Sequence, residues 1–403
     1  MNKNLITKNN FQNKYLKKYS LKKLNINFQK IIAEISKEVN SNQETLNILS
    51  NKFKFNFTIN DLKKFKNFKT IAIIGMGGSI LGSQAIHNFL EKKIKKKTYF
   101  FNDLNEKKML NFKNKENFKK VLFIIISKSG NTVETLSNLL ILKIIKKNSK
   151  NIILISEKKD NFLLSISKKF KLPFIEHKNY IGGRYSVLSE VGAVPAYLMG
   201  IDIFKLRSNI QSYLKGNEKL FLKESSVYLA GLLNLKKINN LVFLNYSPEL
   251  EKFLFWCQQL IAESLGKEGK GFLPVISNVP KDHHSLLQLY LDGPKDKIFH
   301  IFSCVKKSKE KINTDKLGHN HFLNKQSLST IKLAQKNALI EVLKKKKIPF
   351  REFKINVINE EVLGKLFSYF ILETIIIGKL INVNPFDQPA VEQVKVKTKR
   401  LLN

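Results

Sequence analysis

Short apolar runs alternate along the chain with longer segments in which apolar residues recur every three or four positions. The first runs cover residues 70–74, 98–101, 121–126 and 151–155, and helical patterns cover 79–91 and 132–145. A short, continuously apolar run is typical of a strand in a parallel sheet, because helices cover both faces of such a sheet. The alternation therefore predicts a doubly wound α/β domain.

The same alternation resumes after residue 220. It predicts strands at 240–245, 272–276 and 298–303, and helices at 249–265, 324–344 and 360–380. A last helix should start near Phe386 and fold back across the cleft, while residues 1 to about 60 have the pattern of helices. We therefore predict an α/β fold with two tandem doubly wound parallel-sheet domains. Its parts are an N-terminal helical segment (1–60), a first domain (61–215), a second domain (216–383) and a C-terminal helix (384–403).

The charge of the chain is strongly positive. It has 403 residues, with 71 Lys and Arg against 32 Asp and Glu, a formal net charge of +39 and a pI of about 9.9. Such values usually suggest a nucleic-acid partner. The lysines are spread over the whole length beside apolar periodic segments, so we interpret them as solvated faces and predict no specific nucleic-acid partner. A cationic surface would still concentrate anionic ligands at low salt.

Cysteine content and hydropathy exclude two classes of protein. The two cysteines, Cys257 and Cys304, have neither metal nor redox spacing, which argues against a disulfide framework. The N-terminal residues lack the apolar core of a signal peptide. The longest apolar stretch, 369–383, is interrupted by Glu373 and Lys379 and falls short of the roughly 20 residues that span a bilayer. We expect a soluble cytoplasmic protein without a membrane partner.

Two loops at predicted strand ends have the composition of phosphate sites. Residues 75–79 read Gly-Met-Gly-Gly-Ser, a turn that lets a backbone approach an anion at a helix N-terminus, although such turns also occur for steric reasons. Residues 127–132 read Ser-Lys-Ser-Gly-Asn-Thr, and three hydroxyls at the end of a buried strand suit a phosphate dianion. The glycine spacing fits neither a Walker loop nor a dinucleotide fingerprint. The alternative is helix capping by Asn131 with Glu134, which leaves the density of Ser and Thr unexplained.

Four later segments carry further chemistry, although each alone would more often be structural. Residues 182–186 read Gly-Gly-Arg-Tyr-Ser, and a fixed guanidinium stabilises negative charge on oxygen. Residues 263–267 read Glu-Ser-Leu-Gly-Lys, and one carboxylate can move a proton between adjacent carbons. Residues 283–284 are a His pair without zinc spacing, and the other histidines form no ligand cluster. Residues 386–395 read Phe-Asp-Gln-Pro-Ala-Val-Glu-Gln-Val-Lys, on a helix that would turn Gln388 and Lys395 to one side.

Together and in this order, the segments resemble those of the glucose-6-phosphate isomerase family, from about residue 71 to residue 395. The resemblance implies two sugar isomerase (SIS) domains and no metal or organic cofactor. It implies that Glu263 is the base, that His284 and Lys395 help to open the sugar ring, and that Arg184 and Lys395 stabilise the enediolate. The substrate and its phosphate would be held by Gly78, Ser79, Ser127, Lys128, Ser129, Thr132, Gly183 and Gln388.

The resemblance also implies a reaction and an assembly. The reaction is the interconversion of D-glucose 6-phosphate and D-fructose 6-phosphate through a cis-enediol, in glycolysis and gluconeogenesis. The histidine that matches His284 comes from the neighbouring subunit in family members, which implies a homodimer. The chain departs from the family pattern at Glu190, Leu265 and Ala390, where small, Asn and Gly residues are usual.

Two alternatives remain open. A bifunctional phosphoglucose/phosphomannose isomerase would remove the same proton from C2 epimers. A non-catalytic sugar-phosphate sensor could use an SIS fold as well, because fold does not determine function. A sensor would need only the phosphate loop, so the presence of Glu263, His284 and Lys395 together argues against it.

Overall fold

A computed structural model describes residues 4–11, 16, 18–305, 308–315 and 321–402. Its strands are β1 (Leu5–Asn10), β2 (Thr70–Gly75), β3 (Lys97–Phe101), β4 (Val121–Ile126), β5 (Ile152–Ser156), β6 (Phe174–Glu176), β7 (Asn240–Asn245), β8 (Leu273–Asn278), β9 (Lys297–Cys304) and β10 (Phe350–Ile355). Its helices are α1 (Lys18–Asn40), α2 (Ile59–Lys63), α3 (Leu81–Phe89), α4 (Glu106–Lys115), α5 (Val133–Ile141), α6 (Phe162–Phe170), α7 (Glu190–Met199), α8 (Ile203–Arg207), α9 (Gly216–Leu235), α10 (Glu251–Leu265), α11 (Leu287–Asp292), α12 (Leu328–Lys345), α13 (Glu360–Leu380) and α14 (Pro389–Leu402). None of the described helices is long and apolar enough to cross a bilayer.

The described strands form two five-stranded sheets, and the prediction of two sheet domains is confirmed. The first sheet is parallel, with strand order β3-β2-β4-β5-β6. The chain passes from β2 outward to β3 and then returns across β2 to β4. The strand order therefore reverses between β2 and β4, and the carboxyl ends of these two strands flank a crevice of the kind that binds ligands in open α/β sheets.

The second sheet repeats this order, with β7 and β9 in the places of β2 and β4. Its strand order is β1-β10-β9-β7-β8, and it is parallel except for the edge strand β1, which runs antiparallel to β10. A second point of reversal therefore lies between β7 and β9.

One continuous apolar core joins the two sheets. It contains Ile73 of β2 and Phe243 of β7, and α10 and α13 supply much of the packing between them through residues such as Trp256 and Phe367. Two smaller clusters cover the remaining face of each sheet. Because the sheets share a core, the loops at their strand ends are held in fixed positions relative to each other.

Most predicted elements are confirmed, and two predictions need correction. Residues 5–10 form a strand and not a helix, because they complete the edge of the second sheet beside β10. The last helix begins at Pro389 and not near Phe386, and it is exposed along its length instead of lying across the cleft. Strands β6 and β10 were not predicted at all.

Candidate active site

The glycine turn after β2 packs directly against the backbone of the Gly-Gly-Arg segment. Residues Gly77–Ser79 and Gly183–Leu188 each form a short 3-10 helix. A Cβ added to Gly78 would lie 2.2 Å from the carbonyl carbon and oxygen of Gly183, so only glycine fits at position 78. The Ser186 hydroxyl donates to the Gly183 carbonyl at 2.7 Å, which holds the second loop in this close contact.

The loop after β4 brings three hydroxyls together. Ser127 is buried, and its Oγ lies 2.9 Å from Oγ1 of Thr132, while Oγ of Ser129 lies 3.5 Å from the same atom. Gly130 has φ +67, and a Cβ there would lie 1.9 Å from Oδ1 of Asn161. The tight turn at Gly130 therefore depends on glycine and folds the hydroxyls back toward the N-terminus of α5.

Two other residues of this loop have partners outside the hydroxyl group. Lys128 Nζ donates to the Asn179 carbonyl at 2.9 Å and lies 3.5 Å from Glu157, and burial lowers the pKa of Lys128. Asn131 accepts from the backbone N–H of Phe162 at 2.9 Å. The N-cap of α5 is Thr132, so the alternative in which Asn131 caps this helix is wrong.

Arg184 is the most extensively bonded side chain of the group. It is only 3% exposed, and its Nε donates to Oγ of Ser264 at 2.8 Å. Its Nη1 donates to Oε1 of Gln388 at 2.8 Å, and its Nη2 donates to the carbonyls of Pro385 at 2.6 Å and Asp387 at 3.1 Å. The planar guanidinium thus ties α10 to residues 385–388 and has a fixed orientation.

Glu263, in the last turn of α10, lies beside this guanidinium. Its Oε1 is 3.3 Å from Nη1 of Arg184, and its Oε2 accepts from Nε2 of Gln259 at 3.0 Å. The side chain is 23% exposed, so the carboxylate is positioned by two partners and still accessible.

Gln259 was not among the predicted site residues. A Cβ on Gly77 would lie 2.7 Å from its Nε2, so the amide stands between the glycine turn and Glu263. Its position four residues before Glu263 on one helix is the signal that could have identified it.

Residues 385–388 are fixed from both sides. Besides its contacts with Arg184, this segment contains Asp387, whose Oδ1 lies 2.6 Å from Nζ of Lys267. That hydrogen bond lowers the pKa of Asp387. Gln388 lies one residue before α14, so the prediction that Gln388 and Lys395 share a helix face is wrong. Lys395 is 57% exposed on α14 and pairs with Glu392 at 2.5 Å.

The histidine pair follows β8. The ring of His283 is partly buried, and its Nε2 lies 3.0 Å from the Tyr246 hydroxyl. Burial lowers the pKa of His283. His284 ends the short turn over Lys281–His283 and is exposed. The described residues hold no cluster of His, Cys, Asp and Glu suited to a metal ion, and His319 lies outside them.

The three departures from the family pattern are compatible with the fold. Glu190 is fully buried, accepts from the backbone N–H of Asn56 at 2.8 Å and lies 3.6 Å from Nζ of Lys178. Burial raises the pKa of this carboxyl. Leu265 is buried at the end of α10, and Ala390 is exposed in the first turn of α14. Leu265 and Ala390 lie in places that accept the residue present, whereas Oε2 of Glu190 has no hydrogen-bond partner among the described residues.

Comparison with known proteins identifies relatives over most of the chain. Residues 22–403 match the family described as phosphoglucose isomerase. A probable glucose-6-phosphate isomerase of Methanococcus maripaludis is 34% identical over 379 residues, which cover 90% of this chain and 85% of the relative. A glucose-6-phosphate isomerase of Methanocaldococcus jannaschii is 32% identical, with 84% and 86% covered.

Solved structures with low sequence identity share the fold. A hypothetical protein from Thermus thermophilus superposes with a TM-score of 0.81 at 22% identity and covers 98% of this chain and 100% of its own. A glucose-6-phosphate isomerase from Chlamydia trachomatis superposes with a TM-score of 0.70 at 18% identity, with 92% and 74% covered. These two comparisons support the two-sheet architecture.

Proposed function

This chain belongs to the phosphoglucose isomerase family, and on that premise we propose that it interconverts D-glucose 6-phosphate and D-fructose 6-phosphate. It is an aldose–ketose isomerase, and the pathways it serves would be glycolysis and gluconeogenesis. The observation that best supports an isomerisation is the position of the Glu263 carboxylate, which lies between Arg184 and Gln259 beside the glycine turn. An isomerisation of this kind needs one accessible base, and Glu263 supplies it.

The phosphate group would bind at the crevice between β2 and β4. The hydroxyls of Ser127, Ser129 and Thr132 converge there, and the N-terminus of α5 presents free N–H groups. Gly78 and Ser79 close the crevice from the β2 side, and Gly183 and Gln388 complete the substrate contacts. Lys128 contributes positive potential from its position near Asn179 and not a direct contact.

Glu263 would transfer the proton between the two reacting carbons. It removes the proton from C2 of the open-chain aldose, the C1 carbonyl takes up the electron pair, and a cis-enediolate forms. A proton then passes from O2 to O1 of the enediolate, the same carboxyl returns its own proton to C1, and the C2 oxygen becomes the ketose carbonyl. The Arg184 guanidinium faces this carboxylate at 3.3 Å and is suited to stabilise the negative charge that develops on oxygen.

Ring opening requires two further groups. His284 is exposed on the surface, so it can serve a site on a second copy of the chain, as expected for a homodimer. Lys395 pairs with Glu392 on an exposed helix, so its action at the ring oxygen or O1 requires α14 to approach the site. Both roles rest on the family resemblance together with this exposure.

The experiment that tests the proposal is the replacement Glu263→Gln. An amide of the same shape cannot accept the proton, so kcat/KM for fructose 6-phosphate should fall by roughly 10²–10⁴-fold. Deuterium from solvent should no longer enter the sugar at C1 or C2. Binding of sorbitol 6-phosphate, which cannot isomerise, should stay near the wild-type value, because the hydroxyl loop is untouched.

The matched control is Glu268→Gln, which removes the same charge from an exposed side chain five positions further on. The control should behave like wild type. Near wild-type turnover in Glu263→Gln would eliminate Glu263 as the base. A parallel assay with mannose 6-phosphate separates a dedicated enzyme from a bifunctional one, since both remove a proton from C2.

A further inference from the structure

A large cavity lies at the carboxyl edge of the second sheet, and none of its lining residues is one assigned to catalysis. Its volume is about 430 Å³, which is within the range of small-molecule sites. The ends of β7 and β9 contribute Tyr246, Ser247, Ser303 and Cys304 to its walls. The cavity therefore opens at the point where the strand order of the second sheet reverses.

The strand register shows that this cavity corresponds to the crevice between β2 and β4 in the first sheet, where the hydroxyls of residues 127–132 converge. In the first sheet Gly75 pairs with Ile126, and Ser127 follows Ile126. In the second sheet Asn245 pairs with Phe302, and Ser303 follows Phe302. Ser303 thus occupies the position of Ser127.

The helix that follows each of these strands also corresponds. Helix α5 follows β4 in the first sheet, and α12, of 18 residues, follows β9 in the second. Leu328 and Ser329, in the first turn of α12, line the cavity. The Ser327 hydroxyl accepts from the N–H of Thr330, and the N–H groups of Leu328 and Ser329 are left close to the open space.

The charge on the cavity wall favours an anion. Lys332, Lys336 and Lys354 line it against one carboxylate, Glu249, among the described lining residues. Lys336 is buried, pairs with Glu352 and lies 3.4 Å from Oγ of Ser303.

Two of these lysines are available to a ligand. Lys332 and Lys354 are partly buried, and neither side chain has a hydrogen bond or an ion pair within the ranges that the structure describes. Each ammonium group offers three hydrogen-bond donors and no acceptor.

The same wall has an apolar part that a bare ion would not use. Val305, Leu328 and Leu333 line the cavity and keep large exposed fractions, from 47% to 73%. Burial raises the pKa of the Cys304 thiol to about 11, so this side chain is neutral and adds to the apolar surface. A ligand that fills the cavity would place its apolar body here and its anionic group near the lysines.

We propose that this cavity is a second ligand site, which binds a small phosphate monoester with an apolar body. The phosphate lies near Lys332, Lys354 and the first turn of α12, in the place that corresponds to the phosphate in the first sheet. The site is distinct from the isomerase site, since none of its lining residues belongs to the group around Glu263.

The probe is phenyl phosphate, with inorganic phosphate as the comparison, in isothermal titration calorimetry on the full chain. The chain carries Ser127→Ala and Thr132→Ala, so that the first crevice does not contribute. We expect phenyl phosphate to bind this background, and binding to weaken at least tenfold when Lys332→Gln and Lys354→Gln are added. The control pair is Lys344→Gln with Lys345→Gln, which removes the same charge from the exposed last turn of α12 and should change nothing.

A second variant tests the cavity separately from its charge. Leu333→Trp keeps all lysines and fills the apolar part from a half-exposed position, so it should fold and weaken phenyl phosphate more than inorganic phosphate. If the Lys332/Lys354 pair and the Lys344/Lys345 control pair lose phenyl phosphate affinity equally, the overall charge of +39 binds the anion, and the proposal is overturned. Absence of phenyl phosphate binding in the Ser127→Ala, Thr132→Ala background would overturn it as well. Neither readout depends on isomerase activity.

Discussion

The replacement Gly78→Ala should disrupt the candidate active site through a single methyl group. The added Cβ would lie 2.2 Å from the carbonyl carbon and oxygen of Gly183 and 2.6 Å from the backbone nitrogen of Arg184. Contacts of carbon with backbone atoms are normally near 3.5 Å, so the two loops must separate by on the order of 1 Å. Both sides are backbone, and no side chain can rotate away to relieve the overlap.

The expected losses of stability and of activity follow from the residues that the two loops position. Overpacking of this kind costs about 1–3 kcal/mol of unfolding free energy. The displaced loop carries Arg184, which orients Glu263 and Gln388. A shift of about 1 Å in such a group can lower kcat/KM on the order of 10²-fold.

The assay combines urea unfolding with steady-state kinetics on fructose 6-phosphate. The stability control is Gly183→Ala in the opposite loop, because a Cβ there meets no atom within 4 Å. Gly183→Ala should leave the unfolding free energy within about 0.5 kcal/mol of wild type. A Gly78→Ala protein as stable and as active as wild type would refute the close packing of the two loops.

Three further replacements test other parts of the molecule. Arg184→Lys keeps the charge but cannot make the forked contacts of the guanidinium, so kcat/KM should fall about 10²-fold or more, and near wild-type kinetics would contradict the assigned role. Glu373→Gln removes the partner of the fully buried Arg351 and should cost about 3–5 kcal/mol in urea unfolding, whereas a loss below 1 kcal/mol would show that the charge is compensated elsewhere. Burial lowers the pKa of His177 to about 3, so between pH 6.5 and 3 the unfolded chain binds a proton that the folded chain does not, and the unfolding free energy should fall as pH falls through this window. His177→Phe should flatten that part of the stability–pH curve, and an unchanged slope would contradict the assignment.

The periodicity of the sequence was sufficient for the strands that are continuously apolar, such as β4 and β7. Residues 121–126 and 240–245 were predicted with the bounds that the structure has, because helices cover both sides of these strands and their central residues are all apolar. The pattern failed at β10, which contains Arg351 and Glu352. Arg351 is buried there because Glu373 of α13 neutralises it, and no local pattern carries that information.

Edge position and exposure explain the other failures. Strand β1 is partly exposed, and its only partner among the described residues, β10, lies near the other end of the chain. Its residues 5–10 therefore have no apolar run to mark them. The exposed α14 was predicted correctly as a helix, since helical periodicity is local. Its place against the cleft was wrong, and its apolar side chains are exposed instead of packed there.

For the candidate active site, the sequence by itself determined which chemical groups are present and in which order they follow along the chain. The glycine turn, the hydroxyl loop, Arg184 and Glu263 were all predicted from local motifs and a family resemblance. Only the tertiary structure decided which of them meet. Arg184 reaches Ser264 across 80 positions and Gln388 across 204, while Lys128 turns toward Asn179 and away from the hydroxyls. Such contacts depend on how the two sheets pack on one core. The free energy of that packing comes from residues along the whole chain, so no single segment of the sequence predicts it.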